Sequence, residues 1–182
     1  MNEVQETKVI TGKVRFSYLH VFEPSSIDEG QEKKYSVSLI IPKKDKATIV
    51  KINKAIEAAK EAGKVKLGGK IPANLKTPLR DGDEERPEDE AYAGAYFLNA
   101  NCRTKPGLVD QKLNPIMSQD ELYSGCYGRA SVTFYAFNTS GNKGIACGLN
   151  NLMKLEDGES LGGRATAESD FAEFAQSVDD LM

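Results

Sequence analysis

Alternating polar and apolar residues give this chain its most distinctive chemical pattern. In the run 129–136, every second residue is polar and the others are apolar. The polar set is Arg129, Ser131, Thr133 and Tyr135, and the apolar set is Ala130, Val132, Phe134 and Ala136. Successive side chains of a strand point to opposite faces, so one face would join a core. The other would carry a cation, two hydroxyls and an aromatic ring, a face suited either to nucleic acid or simply to solvent.

The surrounding segment 123–155 predicts a long β-hairpin. It contains a strand-like run, a turn rich in Gly and Asn, and a second apolar run. Three further strands are predicted at 8–16, 33–41 and 92–102. Their apolar faces comprise Ile10, Gly12, Val14 and Phe16 in the first, Tyr35, Val37, Leu39 and Ile41 in the second, and Tyr96, Leu98 and Ala100 in the third. The opposite faces comprise Thr11, Lys13 and Arg15, then Lys34, Ser36 and Ser38, then Phe97, Asn99 and Asn101.

Two connections separate these strands. The segment 17–31 is predicted to be a loop because it holds Pro24, serines and Gly30. After the second strand, Asp45 is a suitable N-cap for a helix over 46–61, and Gly63 is a natural stop. The apolar stripe of this helix comprises Ile49, Ile52, Ile56 and Ala59. Its many lysines are interpreted as a solvated face, with contact to a DNA backbone as the alternative.

Few residues could perform catalysis. Cys102, Cys126 and Cys147 form no CxxC pair, and His20 is the single histidine, so the cysteines are interpreted as buried apolar residues and no zinc site is expected. The chain lacks phosphate-binding, nucleophile-elbow and zinc-protease motifs. Seven carboxylates lie between Asp81 and Glu90, but contiguous acids favour an exposed loop over a metal site. We therefore expect no enzyme activity, metal or cofactor.

Charge divides the chain into two parts. Residues 1–155 hold 23 Lys and Arg against 19 Asp and Glu, a net charge of +4, whereas residues 156–182 hold one Arg against eight acids, a net charge of −7. We predict a body at 1–155 and an acidic linker and tail at 156–182. The tail residues proposed to contact a partner or the body's own groove are Asp170, Phe171, Phe174, Asp179, Asp180 and Leu181. A short helix packed permanently on the body is the alternative.

The chain has no apolar run long enough for a transmembrane helix and no secretory signal at its start, which predicts a cytoplasmic protein without a membrane partner. The pattern of strands and helix favours a mainly β fold with helix insertions, an OB-fold five-stranded barrel with an acidic C-terminal tail. Sequence-independent binding of single strands requires a basic groove with aromatic faces for bases, and the basic body carries both residue types.

A resemblance strengthens this interpretation. The runs FSYLHVFEP, YSVSLIIPKKDKATIVKINKAIEAA, LRDGD, AYFLNANCRTKPGLVD, YSGCYGRASVTFYAFNTSGNKGIACGLNNLMKLEDGESLGG and AESDF appear in this order. Together they resemble a bacteriophage single-stranded-DNA-binding family, first catalogued as a domain of unknown function, over about residues 8–174. The layout is also similar to the T7-type phage single-strand-binding protein. The resemblance implies an OB-fold, no enzymatic activity, a role in phage DNA replication or recombination in the host cytoplasm, and recruitment of replication or recombination proteins by the tail.

The predicted nucleic-acid-binding residues are Lys13, Arg15, Tyr18, Lys34, Phe97, Tyr127, Arg129, Tyr135 and Lys143. The cations would contact phosphates and the aromatic rings would stack on bases. Two other classes of protein remain as alternatives at this point. One is an annealing mediator that acts mainly through protein contacts of its tail, and the other is a metal-dependent nuclease using the acids of 81–90. Formation of a homo-oligomer is left open.

Overall fold

The predicted hairpin is the centre of the fold. In this computed structural model, which describes residues 7–26, 30–73 and 75–161 together with Phe171 and Phe174, strands β7 (Tyr127–Thr139) and β8 (Asn142–Glu156) pair antiparallel along their whole length. A two-residue turn joins them, with φ of 51° at Ser140 and 88° at Gly141. Positive φ at both turn residues matches the right-handed twist of the strands. The predicted faces are confirmed, since the apolar set of this arm is buried.

The other elements follow along the chain. They are β1 (Lys8–Ile10), β2 (Val14–Ser25), β3 (Lys34–Pro42), α1 (Lys46–Ala62), β4 (Arg80–Asp81), α2 (Gly82–Glu85), a 3₁₀ helix (Glu90–Tyr92), β5 (Ala95–Cys102) and β6 (Gly107–Val109). Among the described residues, no helix is long and apolar enough to cross a membrane.

Five strands close into a barrel in the order β2–β3–β5–β8–β7 and back to β2. All neighbours are antiparallel except β5 and β8, which run parallel where Asn101 pairs with Gly148. A closed barrel removes the exposed strand edges that an open sheet would present. The predicted fold class, a mainly β OB-fold barrel with helix insertions, is confirmed.

Helix α1 lies between the second and third barrel strands in sequence and packs mainly on β7. Its predicted N-cap is confirmed, because the Asp45 carboxylate accepts a hydrogen bond from the Thr48 amide. Ile52 and Ile56 are buried in the barrel core. The Thr48 hydroxyl also accepts a hydrogen bond from the Gly12 amide at 2.9 Å, which ties the helix to the start of β2.

In the predicted strand 8–16, the buried and exposed faces are reversed before the break at Gly12. The chain breaks between β1 and β2, where the Thr11 hydroxyl is buried and accepts a hydrogen bond from the Ala130 amide. The break shifts the alternation, so Val9 faces the core and Ile10 is 55% exposed. After the break, the predicted faces of Val14 and Phe16 are correct.

The predicted loop at 17–31 is also wrong over its first half, because β2 continues to Ser25. Its register against β3 shifts between Ser17 and His20 and again between His20 and Ser25. These irregularities destroy the period of two by which a strand is recognised in sequence. The strand predicted at 92–102 begins at Ala95 instead, because Tyr92 belongs to the 3₁₀ helix.

Gly128 is predicted to be essential for barrel closure. A Cβ there would overlap the backbone carbonyl oxygen of Met153 and the fully buried ring of Phe16. We expect Gly128→Ala to reduce the free energy of unfolding by on the order of 3 kcal/mol or to prevent folding. Gly148→Ala is the control, since its Cβ would make only ordinary contacts, the nearest 3.4 Å from the Thr133 carbonyl. Urea titration followed by circular dichroism compares the two, and equal stability would contradict the packing argument.

Candidate nucleic-acid interface

A continuous polar surface crosses the outside of the barrel. Ser36 of β3 pairs with His20 on one side and Asn101 on the other, Asn101 pairs with Gly148, and Gly148 pairs with Thr133. Paired residues of neighbouring strands share a face of the sheet. We name the surface formed by these residues and the neighbouring Tyr135 the outer strip; it comprises His20, Ser36, Asn101, Gly148, Thr133 and Tyr135.

The outer strip carries hydrogen-bonding groups and contains no Lys, Arg, Asp or Glu. Its hydroxyl, amide and imidazole groups can donate and accept hydrogen bonds. Tyr135 is 44% exposed, and its ring lies beside Gly148, where the absence of a side chain leaves space. The Asn150 amide donates hydrogen bonds to the hydroxyls of Ser131 and Thr133 at 3.4 and 2.9 Å, which holds the hairpin side of the strip in place.

A basic cluster lies where β2 meets β7. The structure brings together the predicted residues Lys13, Arg15 and Tyr127, with the Lys13 ammonium 5.1 Å and the Arg15 guanidinium carbon 5.4 Å from the centroid of the Tyr127 ring. Cations at this distance from a ring face are attracted by its quadrupole. The arrangement gives phosphate-binding charge and a stacking face at one place.

The acidic linker contacts this basic cluster. Lys13 forms an ion pair with Glu156, and Arg15 donates hydrogen bonds to the carbonyl oxygens of Gly125 and Glu159 at 3.0 and 2.7 Å. The linker then continues along the body to Leu161, whose amide donates to the Ser124 carbonyl at 2.9 Å. The body therefore packs against residues up to 161, six positions beyond the boundary predicted from composition.

The acidic run 81–90 is mostly exposed, as predicted, but it forms two short helices against the barrel instead of an irregular loop. Asp81 caps α2, and Asp89 caps the 3₁₀ helix. The Lys43 ammonium lies 2.9 Å from carboxylate oxygens of both Asp81 and Asp83. The hydrogen bonds from Lys43 lower the pKa of both carboxyls, and the same contacts raise the pKa of Lys43. Within the described part of the chain, no group of three His, Cys, Asp or Glu residues is placed to hold a metal ion.

Phe97 is a correction to the predicted site. Its side chain is only 3% exposed, packed with Ile40, Tyr92 and Ala95 beneath the folded acidic run. It contacts the Tyr92 ring edge-on, with centroids 5.0 Å apart. Strand alternation correctly placed Phe97 outside the barrel, but it could not show that another segment covers this face.

The remaining predicted residues are spread over the barrel. Tyr18 is exposed at the register shift of β2, and Lys34 lies at the far end of β3 beside Ser25. Arg129 is exposed and donates to the Thr11 carbonyl at 3.3 Å. Lys143 lies at the turn of the hairpin, roughly 35 Å along the strands from Tyr127 at 3.3 Å per residue, and its ammonium contacts the Leu67 carbonyl. They therefore do not form one compact site.

The structure describes two of the six predicted tail residues. Phe171 and Phe174 are exposed, whereas Asp170, Asp179, Asp180 and Leu181 lie outside the described residues. The cysteines agree with their interpretation as apolar residues in two cases, since Cys126 and Cys147 are buried in the core and burial raises the pKa of both thiols. Cys102 is partly exposed.

Sequence reasoning missed His20, Asn101 and Arg86. His20 was assigned to a loop, and Asn101 was placed on a polar face but carries neither charge nor ring. Arg86 stands within the acidic run, and nothing in the sequence around it indicates its contacts with three aromatic rings. The sequence did carry a signal for Asn101. Asparagine disfavours strands, so Asn99 and Asn101 at alternate positions of one predicted strand are unusual.

A closed five-stranded barrel with a hydrogen-bonding outer strip and a basic, aromatic cluster defines an OB-fold protein built to hold an extended polyanion. The chain belongs to the family described as Enterobacter phage Enc34, ssDNA-binding protein, which matches residues 7–182.

Individual relatives agree with this assignment. The structure of the single-stranded DNA-binding protein from bacteriophage Enc34 in complex with ssDNA is similar, with a TM-score of 0.77 and 25% identity over 89% of this chain and 97% of that one. Protein p50 of Acyrthosiphon pisum secondary endosymbiont phage 1 is 28% identical over 96% of this chain and 98% of its own length. The fold is shared with gp2.5, a single-stranded DNA binding protein encoded by bacteriophage T7, at a TM-score of 0.61 and 17% identity over 94% and 96% of the two chains.

The attachment of the acidic run generates a prediction for stability. Asp81 and Asp83 have pKa values lowered below their unfolded value of about 3.9, so their contribution is complete above about pH 4 and is lost as the pH falls through the lowered values. We expect Lys43→Met to lower the melting temperature at pH 7, and the difference from wild type to shrink below pH 4. Lys44→Met is the control, because Lys44 is exposed and forms no ion pair with a described residue. A difference that stayed constant down to pH 2 would contradict the assigned pairing.

Proposed function

We propose that this protein binds single-stranded DNA independently of sequence, and coats and protects it during phage DNA replication or recombination in the host cytoplasm. The observation that carries the proposal is the family match over residues 7–182, together with a similar protein solved in complex with ssDNA. The matched family and structures are all described as single-stranded-DNA-binding proteins.

The geometry supports two separate contributions to binding. Lys13, Arg15 and Tyr127 supply charge and a ring at the junction of β2 and β7, where phosphates would be neutralised. The outer strip supplies hydrogen-bonding groups and the Tyr135 ring without adding charge. Stacking on an aromatic face tolerates every base, which accounts for binding independent of sequence.

The acidic tail would recruit replication or recombination proteins and compete with DNA for the basic surface. Residues 162–182 carry five acids against Arg164. The ion pair between Glu156 and Lys13 supports this, because an acidic residue at the end of β8 already contacts a cation proposed to bind phosphate.

Fluorescence anisotropy of labelled oligonucleotides across a salt series tests the function. We expect single strands to bind more tightly than duplex, with an affinity that falls as salt rises. Lys13→Ala should reduce the slope of log affinity against log salt by about 0.7, the value for one phosphate contact on a single strand. Lys51→Ala is the control for the alternative that α1 contacts the DNA backbone, and it should leave the slope unchanged. Equal or tighter binding to duplex, or no dependence on salt, would overturn the proposal.

Deletion after Leu161 tests the tail. We expect the shortened protein to bind single strands more tightly, most clearly at low salt, where charge is least screened. The cut must follow Leu161 and not Leu155, because residues 156–161 pack on the body. A full-length variant with the five tail acids replaced by their amides is the matched control and should behave like the deletion. Unchanged affinity at low salt in both variants would rule out competition.

A further inference from the structure

Arg86 occupies an unusual position outside the barrel. Its guanidinium carbon lies 5.3, 4.9 and 5.0 Å from the ring centroids of Tyr18, Tyr92 and Phe97. The planar guanidinium group can stack on aromatic faces as well as interact with them as a cation. Arg86 therefore joins the exposed Tyr18 to two rings that are buried.

Three acidic residues that precede Arg86 in sequence are paired with other cations. Asp81 and Asp83 pair with Lys43, and Glu85 pairs with Arg80 at 2.8 Å. Among the residues that the structure describes, none forms an ion pair with Arg86. Within the described residues, the Arg86 side chain is therefore held by its contacts with aromatic rings.

Tyr18 is held in a backbone conformation that a tyrosine rarely adopts. Its φ is +46°, at the register shift of β2 between Ser17 and His20, and it is 54% exposed. Such a conformation costs on the order of 1–3 kcal/mol and persists only where the surroundings determine it. The result is a ring displayed next to His20, at one end of the outer strip.

The charge around Tyr18 favours a base over a phosphate as its ligand. The ring borders a groove of about 1000 Å³ whose acidic lining residues are Glu23, Asp89 and Asp120. Carboxylates repel a phosphate, whereas the neutral face of a nucleobase can lie against a tyrosine. The basic cluster at Lys13 and Arg15 lies at the start of β2 and would bind the phosphates of the same DNA strand.

We propose that Tyr18 stacks on one base of the bound strand, and that Arg86 is a positioning residue that holds the Tyr18 ring without contacting phosphate. This inference rests on the proposed function. The Tyr18 ring is positioned in the absence of DNA, because the Arg86 guanidinium already lies against it from the side of the acidic run. The acidic run thereby places its single cation, Arg86, against the Tyr18 ring.

The test uses anisotropy with an oligothymidine strand and an abasic strand of equal length, which keeps the phosphates and removes the bases. We expect Tyr18→Gly to weaken binding to oligothymidine by roughly 5- to 150-fold, the range for loss of one stacked base. Because glycine adopts positive φ at no steric cost, the same variant should be at least as stable as wild type in urea. Tyr18→Phe keeps the ring and should bind as wild type does.

Arg86 is tested through Arg86→Lys, which keeps the charge and loses the planar group. We expect several-fold weaker binding to oligothymidine, an unchanged salt slope, and no further loss when the change is added to Tyr18→Gly. Neither variant should alter binding to the abasic strand. Arg86→Gln removes the charge, and a lowered salt slope for this variant would overturn the inference. Additive losses in the double variant, or equal losses on both strands, would overturn it too. Failure of the wild-type protein to bind either strand would instead overturn the proposed function.

Discussion

Closure of the barrel between β2 and β7 is the constraint on which the rest of the structure depends. Only Val14 and Arg15 of β2 pair there, with Gly128 and Tyr127 of β7. Two further backbone hydrogen bonds, from the Phe16 amide to Cys126 and from the Gly125 amide to Phe16, complete the junction. The junction is also closely packed, because a Cβ at Gly128 would overlap the Met153 carbonyl oxygen and the Phe16 ring. It also places Arg15 and Tyr127 in direct register, so the contact that closes the barrel builds the basic cluster.

The outer face of β2, β3 and β5 is divided by the folded acidic run. Near Arg15, the face is covered: Ile40 and Phe97 pair across β3 and β5 and are buried beneath Tyr92. The Tyr92 hydroxyl donates to Ser38 at 2.9 Å, which marks the edge of the covered part. Beyond this edge, Ser36 and Asn101 remain accessible. The acidic run therefore limits where a polyanion can lie. The outer strip, which it leaves uncovered, is continuous with the polar face of the hairpin.

Sequence alone predicted the elements with regular periods. The hairpin, α1 with its cap at Asp45, and the apolar face of β3 follow from alternation or from a helical stripe, and each is present. The failures share a physical cause. At Thr11 a buried side-chain hydrogen bond breaks a strand, and after Ser17 register shifts remove the alternation. Neither event leaves a periodic signal, since each depends on a partner more than a hundred residues away or on a neighbouring strand.

The candidate site was harder to predict, because charge and aromaticity were the only criteria for choosing its residues. Alternation identifies the side of a strand, but not whether a distant segment covers that side, as happens at Phe97. Composition also placed the linker boundary where acids begin, whereas packing continues to Leu161. This difference in the boundary affects the candidate site, because Glu156 contacts Lys13 and the Glu159 carbonyl contacts Arg15. Phosphates bound at these cations, as proposed, would therefore meet residues at the start of the linker.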